Sequence, residues 1–393
     1  MPPSETRSGK PIRIGISGTG FISHGLCQLL SRQSSFVTSS ILTRRPVSDF
    51  VSSNWQSLIS QSIPELIDKS DLIVECSGNA VWASDVVAQA LQAGLPVVTM
   101  NAEFQVVAGS YYREHGLLSE SEGDQPGSLA VLDQEVRSMG FEPVVYGSQK
   151  RFLNPNPDLA TMQYWAHQQG QSLAKTIAFT DGTKVQIESA LVANGLGAHI
   201  LKQGLLGSSH RSTKKGALEL ANFAMKSQQP ISDYVLQDKG QGEIFIVATH
   251  DEDQKALLSY YKLGEGAFYY FEKPFHLGHF EIIKSIKTVL RFGTPIINNG
   301  SKPTINVAAV AKKTLWPGTF IDQGVGSFNV RGVALNIQDN PNHVPIGLLQ
   351  NCEIQRVIAP GELLKFSDVA LPETLASKAW QFTKNRVLSM PKT

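Results

Sequence analysis

The sequence predicts an α/β fold in three parts: an N-terminal Rossmann-type parallel sheet, a central α+β catalytic domain with an antiparallel sheet, and a small C-terminal β-rich module. Three observations carry this. A strand, a glycine turn and a helix follow one another near the N-terminus. Strands then alternate with helical stretches as far as residue 150, and two similar strand, Pro-Gly turn, strand units lie near the C-terminus. The expected boundaries are 1–150 for the dinucleotide-binding part, 151–300 for the substrate part and 301–393 for the last module.

The first element is the apolar run Pro11 to Ser17, which feeds Gly18-Thr19-Gly20-Phe21-Ile22-Ser23 and then the apolar-periodic segment His24 to Ser31. Gly18 permits a tight turn, and Gly20 lets a pyrophosphate approach the backbone with no Cβ in the way. The following helix offers open N–H groups and a positive dipole end to phosphates. Gly18, Thr19, Gly20, Phe21 and Ile22 are therefore cofactor-binding candidates. Ser23 stands at the third fingerprint position, usually Gly or Ala. The bland alternative is a plain structural turn.

Phe36 to Leu42 reads as the second strand and ends in Thr43-Arg44-Arg45-Pro46. An NAD site would place a carboxylate there for the ribose 2′-hydroxyl, yet none occurs before Asp49. Arg44 and Arg45 offer paired donors for a 2′-phosphate, which favours NADP(H) over a merely solvated basic corner.

Asp71 to Gly78 is the third strand, followed by a helix from Ala80 to Gln92 and a fourth strand from Leu95 to Met100. Asp124 and Pro126 signal a helix start, and Gly140 ends that helix before the strand Glu142 to Tyr146. Ligands lie beyond the carboxyl ends of parallel strands. Gly18, Arg44, Ser77, Gly78, Asn101, Glu103 and Gly147 are thereby expected around one crevice, with the nicotinamide near Ser77, Gly78 and Asn101.

Beyond Gly147 a turn-rich loop to Asp158 carries Lys150 and Arg151, either a solvated linker or a contact for a substrate anion. After a helix, Leu159 to Gln169, come Asp181, Lys184 and Glu188 at spacings of three and four. If helical, they share a face and flank a lysine with carboxylates, an arrangement suited to holding a carbonyl and moving its proton; a hairpin turn at Asp181-Gly182 is the alternative. Leu257–Lys262 and Ala267–Phe271 are expected to be strands joined by the turn Leu263-Gly264-Glu265-Gly266. His276 and His279 precede a helix from Phe280 to Phe292; no third ligand completes a metal spacing, so packing or capping is expected of His279, while His276 has the reach for the cleft. Thr294 to Pro303 reads as a linker. Val307–Ile321 and Cys352–Leu364 echo one another around Pro317-Gly318 and Pro360-Gly361.

Composition bounds the function. Lys and Arg number 35 against 34 Asp and Glu, a formal net charge of +1, which argues against a dedicated nucleic-acid surface. No apolar run approaches membrane-spanning length, the first ten residues are polar with no leader core, and three scattered cysteines (Cys27, Cys76, Cys352) suit a reducing interior. A cytoplasmic protein is expected, with a small-molecule substrate and no nucleic-acid or membrane partner. An exposed sheet in the middle region would invite homo-oligomers.

These motifs together resemble the deoxyxylulose-phosphate reductoisomerase-like branch of the homoserine dehydrogenase-type oxidoreductases. The resemblance spans nearly the whole chain through Gly15–Phe21, Met100–Glu103, Gly123–Gly127, Phe179–Lys184, Ala193-Asn194, Pro274–Leu277 and Pro345–Leu348. It implies a dinucleotide-binding domain, a catalytic α/β domain and a C-terminal SAF-type (β-clip) domain, with NADPH-dependent rearrangement and reduction of 1-deoxy-D-xylulose 5-phosphate as the best-known activity. The chain departs from that pattern in two places. The loop after Tyr146 keeps one lysine of several, Lys150, and Gln105 stands where an acid is expected. Both changes preserve the cofactor fold and leave the phosphosugar substrate open.

The expected activity is NADP(H)-dependent oxidation or reduction of a small polar carbonyl or alcohol, sugar-derived compounds included. Lys150 or Lys184 would bind or protonate the carbonyl oxygen, and Asp181 and Glu188 would orient that lysine or move its proton. Two alternatives stand beside it. One is a reductoisomerase using a divalent cation, for which Asp181 and Glu188 are the carboxylates on offer. The other is a non-catalytic NADP(H)-binding sensor or scaffold.

Overall fold

The computed structural model describes residues 10–50 and 54–391. The polar stretch 1–9, read above as lacking a leader core, lies outside them. The described residues form two compact units, one drawn from 10–127, 277–301 and 373–383, the other from 128–276, 302–372 and 384–391.

The first unit is built on six parallel strands: β1 (Ile12–Ser17), β2 (Phe36–Leu42), β3 (Ile59–Ser60), β4 (Leu72–Glu75), β5 (Val97–Thr99) and β6 (Leu118–Glu120). Their spatial order is β3-β2-β1-β4-β5-β6, the order of dinucleotide-binding sheets. The strands are short apolar runs because helices cover both faces. Ile14, Ile16, Leu72, Val74 and Val98 pack with Leu26 and Cys27 of the helix Phe21–Leu30. Ile282, Ile286 and Val289, spaced by four and three along the helix His279–Phe292, complete that core. The stretch read as a linker is pinned: Ile296 N donates to Ser119 Oγ at 2.9 Å, and Glu120 N donates to the Ile297 carbonyl at 2.7 Å. β6 escaped the sequence reading because Leu118-Ser119-Glu120 is brief and polar.

The second unit holds a five-stranded sheet in the order β11-β10-β7-β9-β8, comprising β7 (Glu142–Lys150), β8 (Ser208–Ser209), β9 (Ile231–Leu236), β10 (Ile244–Thr249) and β11 (Tyr269–Lys273). β10 runs antiparallel to both β7 and β11, whereas β7, β9 and β8 run parallel. The sheet is therefore mixed, where mostly antiparallel pairing was expected. β7 corrects a second expectation. It belongs to this sheet rather than to the dinucleotide-binding one. It also continues through the expected loop to Lys150, paired opposite Leu236. Leu257–Lys262 is not a strand either. Lys255–Tyr260 is helical, with Glu252 and Asp253 in the turn before it and a Lys255–Glu252 ion pair at 3.1 Å; acids at a helix start outweigh the strand preference of the tyrosines.

The C-terminal strands are β12 (Ile305–Ala311), β13 (Phe320–Gln323), β14 (Val330–Asn336), β15 (Gln350–Ile354) and β16 (Val369–Ala370), paired as β12-β14 and β13-β15-β16. The two echoing units meet: Leu315 and Ile358 form an antiparallel bridge, and Gly318 N donates to the Ile354 carbonyl at 2.8 Å. Gly318 and Gly361 have φ of 84° and 82°, as the third residue of a Pro-Gly turn requires. The helix Thr183–Leu196 covers the edge of β14 with side chains. Thr183 Oγ1 accepts from Gly332 N and Gln186 Oε1 from Ala334 N, both at 2.8 Å, while Asn194 Oδ1 takes the Thr304 and Ile305 N–H groups.

His343 ties this region to acid stability. It is buried, with Nδ1 2.6 Å from the Asn340 carbonyl and Nε2 3.2 Å from the Asn306 side chain, and burial pushes its pKa down to about 4. The unfolded imidazole titrates near 6.5, so between these values the unfolded chain binds the extra proton. Stability is then full above about pH 6.5 and falls as pH drops toward 4, by about 3 kcal/mol at most from this group. Urea unfolding of His343→Gln across that range should show a flatter pH dependence than the parent; an unchanged slope would assign the acid sensitivity elsewhere.

Candidate functional site

The dinucleotide cleft begins with the backbone. β1 ends at Ser17, and Gly18 turns the chain with φ 118°; a Cβ there would sit 3.0 Å from the Cys76 carbonyl oxygen, so glycine is required. A Cβ on Gly20, by contrast, would point into open space. Gly20 is the N-cap of the helix Phe21–Leu30, no side chain caps it, and no acid occupies the first turn. The positive end of the helix is thus left for an external anion.

A cavity of about 540 Å³ opens at this point, lined by Gly18, Thr19, Gly20, Leu42, Thr43, Arg44, Arg45, Ser77 and Trp82. The arginines that follow β2 are held differently. Arg45 donates from Nη2 to Thr19 Oγ1 at 2.7 Å and to the Thr19 carbonyl at 3.1 Å, and its guanidinium lies 4.7 Å from the Phe50 ring centre. Arg44 stacks over Trp82 at 5.4 Å. Sequence reasoning missed Trp82. Its signal was an aromatic in the first turn of the helix capped by Asn79, whose side chain accepts from Trp82 N at 2.8 Å.

The remaining cofactor candidates are not among the residues that line this cavity. Phe21 and Ile22 form the first helical turn, with Phe21 edge-on to His279 at 5.6 Å. Gly78 follows β4 with φ 69°, and Asn101 caps the short helix Ala102–Phe104, which contains Glu103, through its bond from Phe104 N. A residue not singled out from the sequence organises this edge. Glu75, fully buried at the end of β4, accepts from Ser77 N at 2.9 Å and from Thr99 Oγ1 at 3.3 Å. Burial pushes its carboxyl pKa up, against the pull of bonds from Ser77, Asn101 and Thr99. His279 is buried, and desolvation lowers its pKa, in keeping with a packing role.

The second group of candidates lies in the other unit. Asp181 closes the helix Leu173–Thr180, Gly182 turns the chain at φ 84°, and Lys184 and Glu188 then lie one turn apart on the helix Thr183–Leu196. Glu188 is buried. Its Oε2 sits 3.1 Å from Lys150 Nζ, at the end of β7, and its Oε1 lies 3.9 Å from Lys184 Nζ. Two lysines distant in sequence thus share one carboxylate.

Asp181 does not join them. Its Oδ2 pairs with Lys312 Nζ at 2.6 Å, both side chains being almost fully buried, and its Oδ1 accepts from Thr183 N. Lys312 also donates to the Ser327 carbonyl at 2.6 Å. Burial pushes the Asp181 carboxyl up against the pull of Lys312, and pushes the Lys312 ammonium down. The expected lysine flanked by two carboxylates is therefore a carboxylate flanked by two lysines, with Asp181 engaged elsewhere. Lys312 follows a wholly buried strand, and nothing in the sequence linked it to Asp181. Nor do Asp181 and Glu188 suit a divalent cation: each already faces ammonium groups, and among the described residues no group of three His, Cys, Asp or Glu side chains gathers at a metal-binding distance.

Two family models match the chain. "Homoserine dehydrogenase, NAD binding domain" covers residues 18–114, and "Oxidoreductase DRL, catalytic domain" covers residues 123–282. No curated protein matches. Among solved structures, the chain is similar to a probable dehydrogenase from Thermotoga maritima (13% identity, 72% of this chain and 90% of that one, TM-score 0.42). It is also similar to a putative myo-inositol dehydrogenase from Sinorhizobium meliloti (11%, 72% and 90%, 0.39) and a dehydrogenase from Clostridium difficile (13%, 72% and 92%, 0.40). With a nicotinamide-binding domain joined to an oxidoreductase catalytic domain, the chain is an NAD(P)-dependent oxidoreductase. Among the described residues no helix is long and apolar enough to cross a membrane.

The Asp181–Lys312 pair makes a stability prediction. Lys312→Met would strand a buried carboxylate and should cost about 3–5 kcal/mol in urea unfolding, whereas Asp181→Asn combined with Lys312→Met should recover most of the loss. Equal destabilisation by the single and double variants would remove the charge pairing as its cause.

Proposed function

We propose that this oxidoreductase uses NADP(H) and acts on a small polar carbonyl or alcohol, a class that includes sugar-derived compounds. The observation that carries the cofactor choice is the pair Arg44 and Arg45 on the cavity wall immediately after β2, with no carboxylate among the lining residues. Guanidinium groups favour a 2′-phosphate, whereas a ribose 2′-hydroxyl calls for an acceptor at that strand end. The bound dinucleotide would supply or accept a hydride. Gly18, Thr19 and Gly20 would hold its pyrophosphate at the helix start, and Arg44 with Trp82 would meet its adenosine end.

Lys184 and Lys150, joined through Glu188, are the carbonyl-handling group in this reading. An ammonium pointed at a carbonyl oxygen stabilises the charge that develops as the hydride arrives and then delivers the proton; in the reverse direction the same atom takes the hydroxyl proton. Glu188 keeps both ammonium groups close and gives back part of the charge stabilisation that burial removes. Asp181 acts one step away, fixing the start of the lysine helix through Thr183 N. The reductoisomerase alternative gains no support from the carboxylates, since both are committed to lysines.

In direct titrations, changing both Arg44 and Arg45 to Ala should weaken NADPH binding about 10- to 100-fold and leave NADH within a few-fold. An unchanged NADPH/NADH ratio would take these residues out of the cofactor site. In a turnover screen over keto-sugars, sugar phosphates and aspartate semialdehyde, Lys184→Met should lower kcat on any active compound about 100-fold or more while NADPH affinity holds. A folded variant that loses both equally would refute the assignment, and NADPH binding without turnover of any compound would favour a sensor.

A further inference from the structure

At the carboxyl end of β4 the chain buries a carboxyl group among neutral partners. Glu75 is 0% exposed, and its neighbours across the sheet are Ser17 on β1 and Thr99 on β5. The groups bonded to it are all uncharged donors: Ser77 N at 2.9 Å, Thr99 Oγ1 at 3.3 Å and the Asn101 side chain. Among the described residues no lysine, arginine or histidine pairs with it. The ionisable groups on the elements packed around β4 lie elsewhere. Arg13 of β1 pairs with Asp71 ahead of β4, Cys76 follows Glu75 in the chain, Asp85 belongs to the helix Ala80–Gln92, and Glu103 comes after β5. His24 and Cys27 stand on the helix Phe21–Leu30, and His279 is buried at the start of the helix His279–Phe292. Glu188, Asp181, Glu122 and Asp368, buried likewise, each have a lysine or arginine.

The place of Glu75 in the sheet gives this difference a meaning. Along the order β2-β1-β4-β5, the arginines stand after β2 and the glycine turn after β1. A dinucleotide whose adenosine end meets the first and whose pyrophosphate meets the second continues toward the ends of β4 and β5. Glu75 ties those two ends together. Ser77, bonded to it, lines the cavity, and Thr99 Oγ1, also bonded to it, accepts from Asn101 N at 3.0 Å. A nicotinamide ring is positively charged when oxidised and neutral when reduced. A carboxyl group at that end of the cleft tells the two states apart by charge, in surroundings that screen poorly. Burial pushes the Glu75 pKa up, so the free protein holds this proton more tightly than an exposed glutamate does.

We propose that Glu75 is the counter-ion of the oxidised nicotinamide ring, so that the cleft favours NADP⁺ over NADPH more strongly than it would with a neutral side chain at this position. The inference rests on the dinucleotide reading above and adds a preference for redox form that the reading does not contain. When the oxidised cofactor binds, Glu75 releases its proton to solvent and remains as the carboxylate. When a hydride reduces the ring, the positive charge is gone and Glu75 takes a proton back from solvent. The preference for NADP⁺ is therefore smallest at low pH, where Glu75 keeps its proton in both complexes, and grows as pH rises.

Calorimetric titration of the full chain with NADP⁺ and with NADPH measures this preference directly, because the two ligands differ only at the nicotinamide. The NADP⁺/NADPH affinity ratio of the parent should rise between about pH 5 and about pH 9. Glu75→Gln should lower the ratio about tenfold or more at the upper end and make it independent of pH. The glutamine keeps an acceptor for Ser77 N and offers a donor to Thr99 Oγ1, so NADPH affinity should stay within a few-fold. Repeating the parent titrations across this range in buffers of different ionisation enthalpy counts protons, and needs no variant: NADP⁺ should release more of them than NADPH does. The same affinity ratio in the parent and the glutamine variant, or equal proton release by the two forms at every pH, overturns the proposal. Equal weakening of both forms in Glu75→Gln would assign the residue to the shape of the cleft and likewise overturn it. Failure of the NADP(H) choice looks different: NAD⁺ and NADH would bind instead, and their ratio then carries the same comparison. A parent that binds none of the four overturns both readings.

Discussion

The packing of charged groups in the second unit depends on a single buried carboxylate. Glu188 sits at 2% exposure with two ammonium groups beside it, one brought by its own helix and one by β7. Alone it would be costly to bury in ionised form, and two like charges placed together without it would repel. Together they hold two ammonium groups against one carboxylate on fixed elements. In the function proposed above, such a cluster would meet an electron-rich oxygen and hand it a proton. The strand and the helix are therefore constrained in register: sliding β7 by one residue would turn Lys150 to the opposite face and leave Glu188 with Lys184 alone.

The helix bearing Glu188 answers to a second constraint on its other side. Thr183, Gln186 and Asn194 supply acceptors to N–H groups of β14 and of the start of β12, so the C-terminal strands are fastened to the helix by its side chains. The ion pair between Asp181 and Lys312 sets the point where the helix begins. Buried pairs of this kind add little net stability, because desolvation offsets most of the attraction; their effect is to penalise other arrangements. A wrong docking of the C-terminal strands would leave a buried charge unmatched. The same stretch of eight residues thus fixes both the lysine helix and the strands behind it, which accounts for the density of polar groups between Asp181 and Glu188.

Much of this was legible in the sequence, and the limits are instructive. Helices bounded by strong caps were read to the residue: Ala80–Gln92 after Asn79 and Leu159–Gln169 after Asp158, the second ended by Gly170 in the left-handed region. The glycine turn at Gly18 and the arginines after β2 were legible because a local motif carries its own physical reason. What failed depended on long-range pairing. β7 resembles one more strand of the parallel sheet until its partners are known, and an apolar strand does not announce its sheet. The grouping of Lys150 with Glu188 spans 38 positions, and that of Asp181 with Lys312 spans 131; spacing rules reach only one or two helical turns. The i, i+4 relation of Lys184 and Glu188 was visible, and the partner that changed its meaning was not.

The cofactor cleft shows how recognition can be prepared before the ligand arrives. Arg45 is tethered to Thr19 through its terminal nitrogen, within the turn that would hold the pyrophosphate, and the Arg44 guanidinium lies over the Trp82 ring. An unrestrained arginine loses about 2 kcal/mol of rotamer freedom when a ligand fixes it. Side chains already held by a hydroxyl and an aromatic face have given up part of that freedom in the free protein, so in the NADP(H) reading proposed above more of a phosphate interaction would be expressed as affinity. The open helix start beside them works in the same sense, because its N–H groups are fixed by the backbone and left without a side-chain cap. In the NADP(H) reading proposed above, a single anionic ligand would meet both the arginines and the uncapped helix start. A cleft that an anion meets at several points discriminates by charge more sharply than one that relies on shape alone.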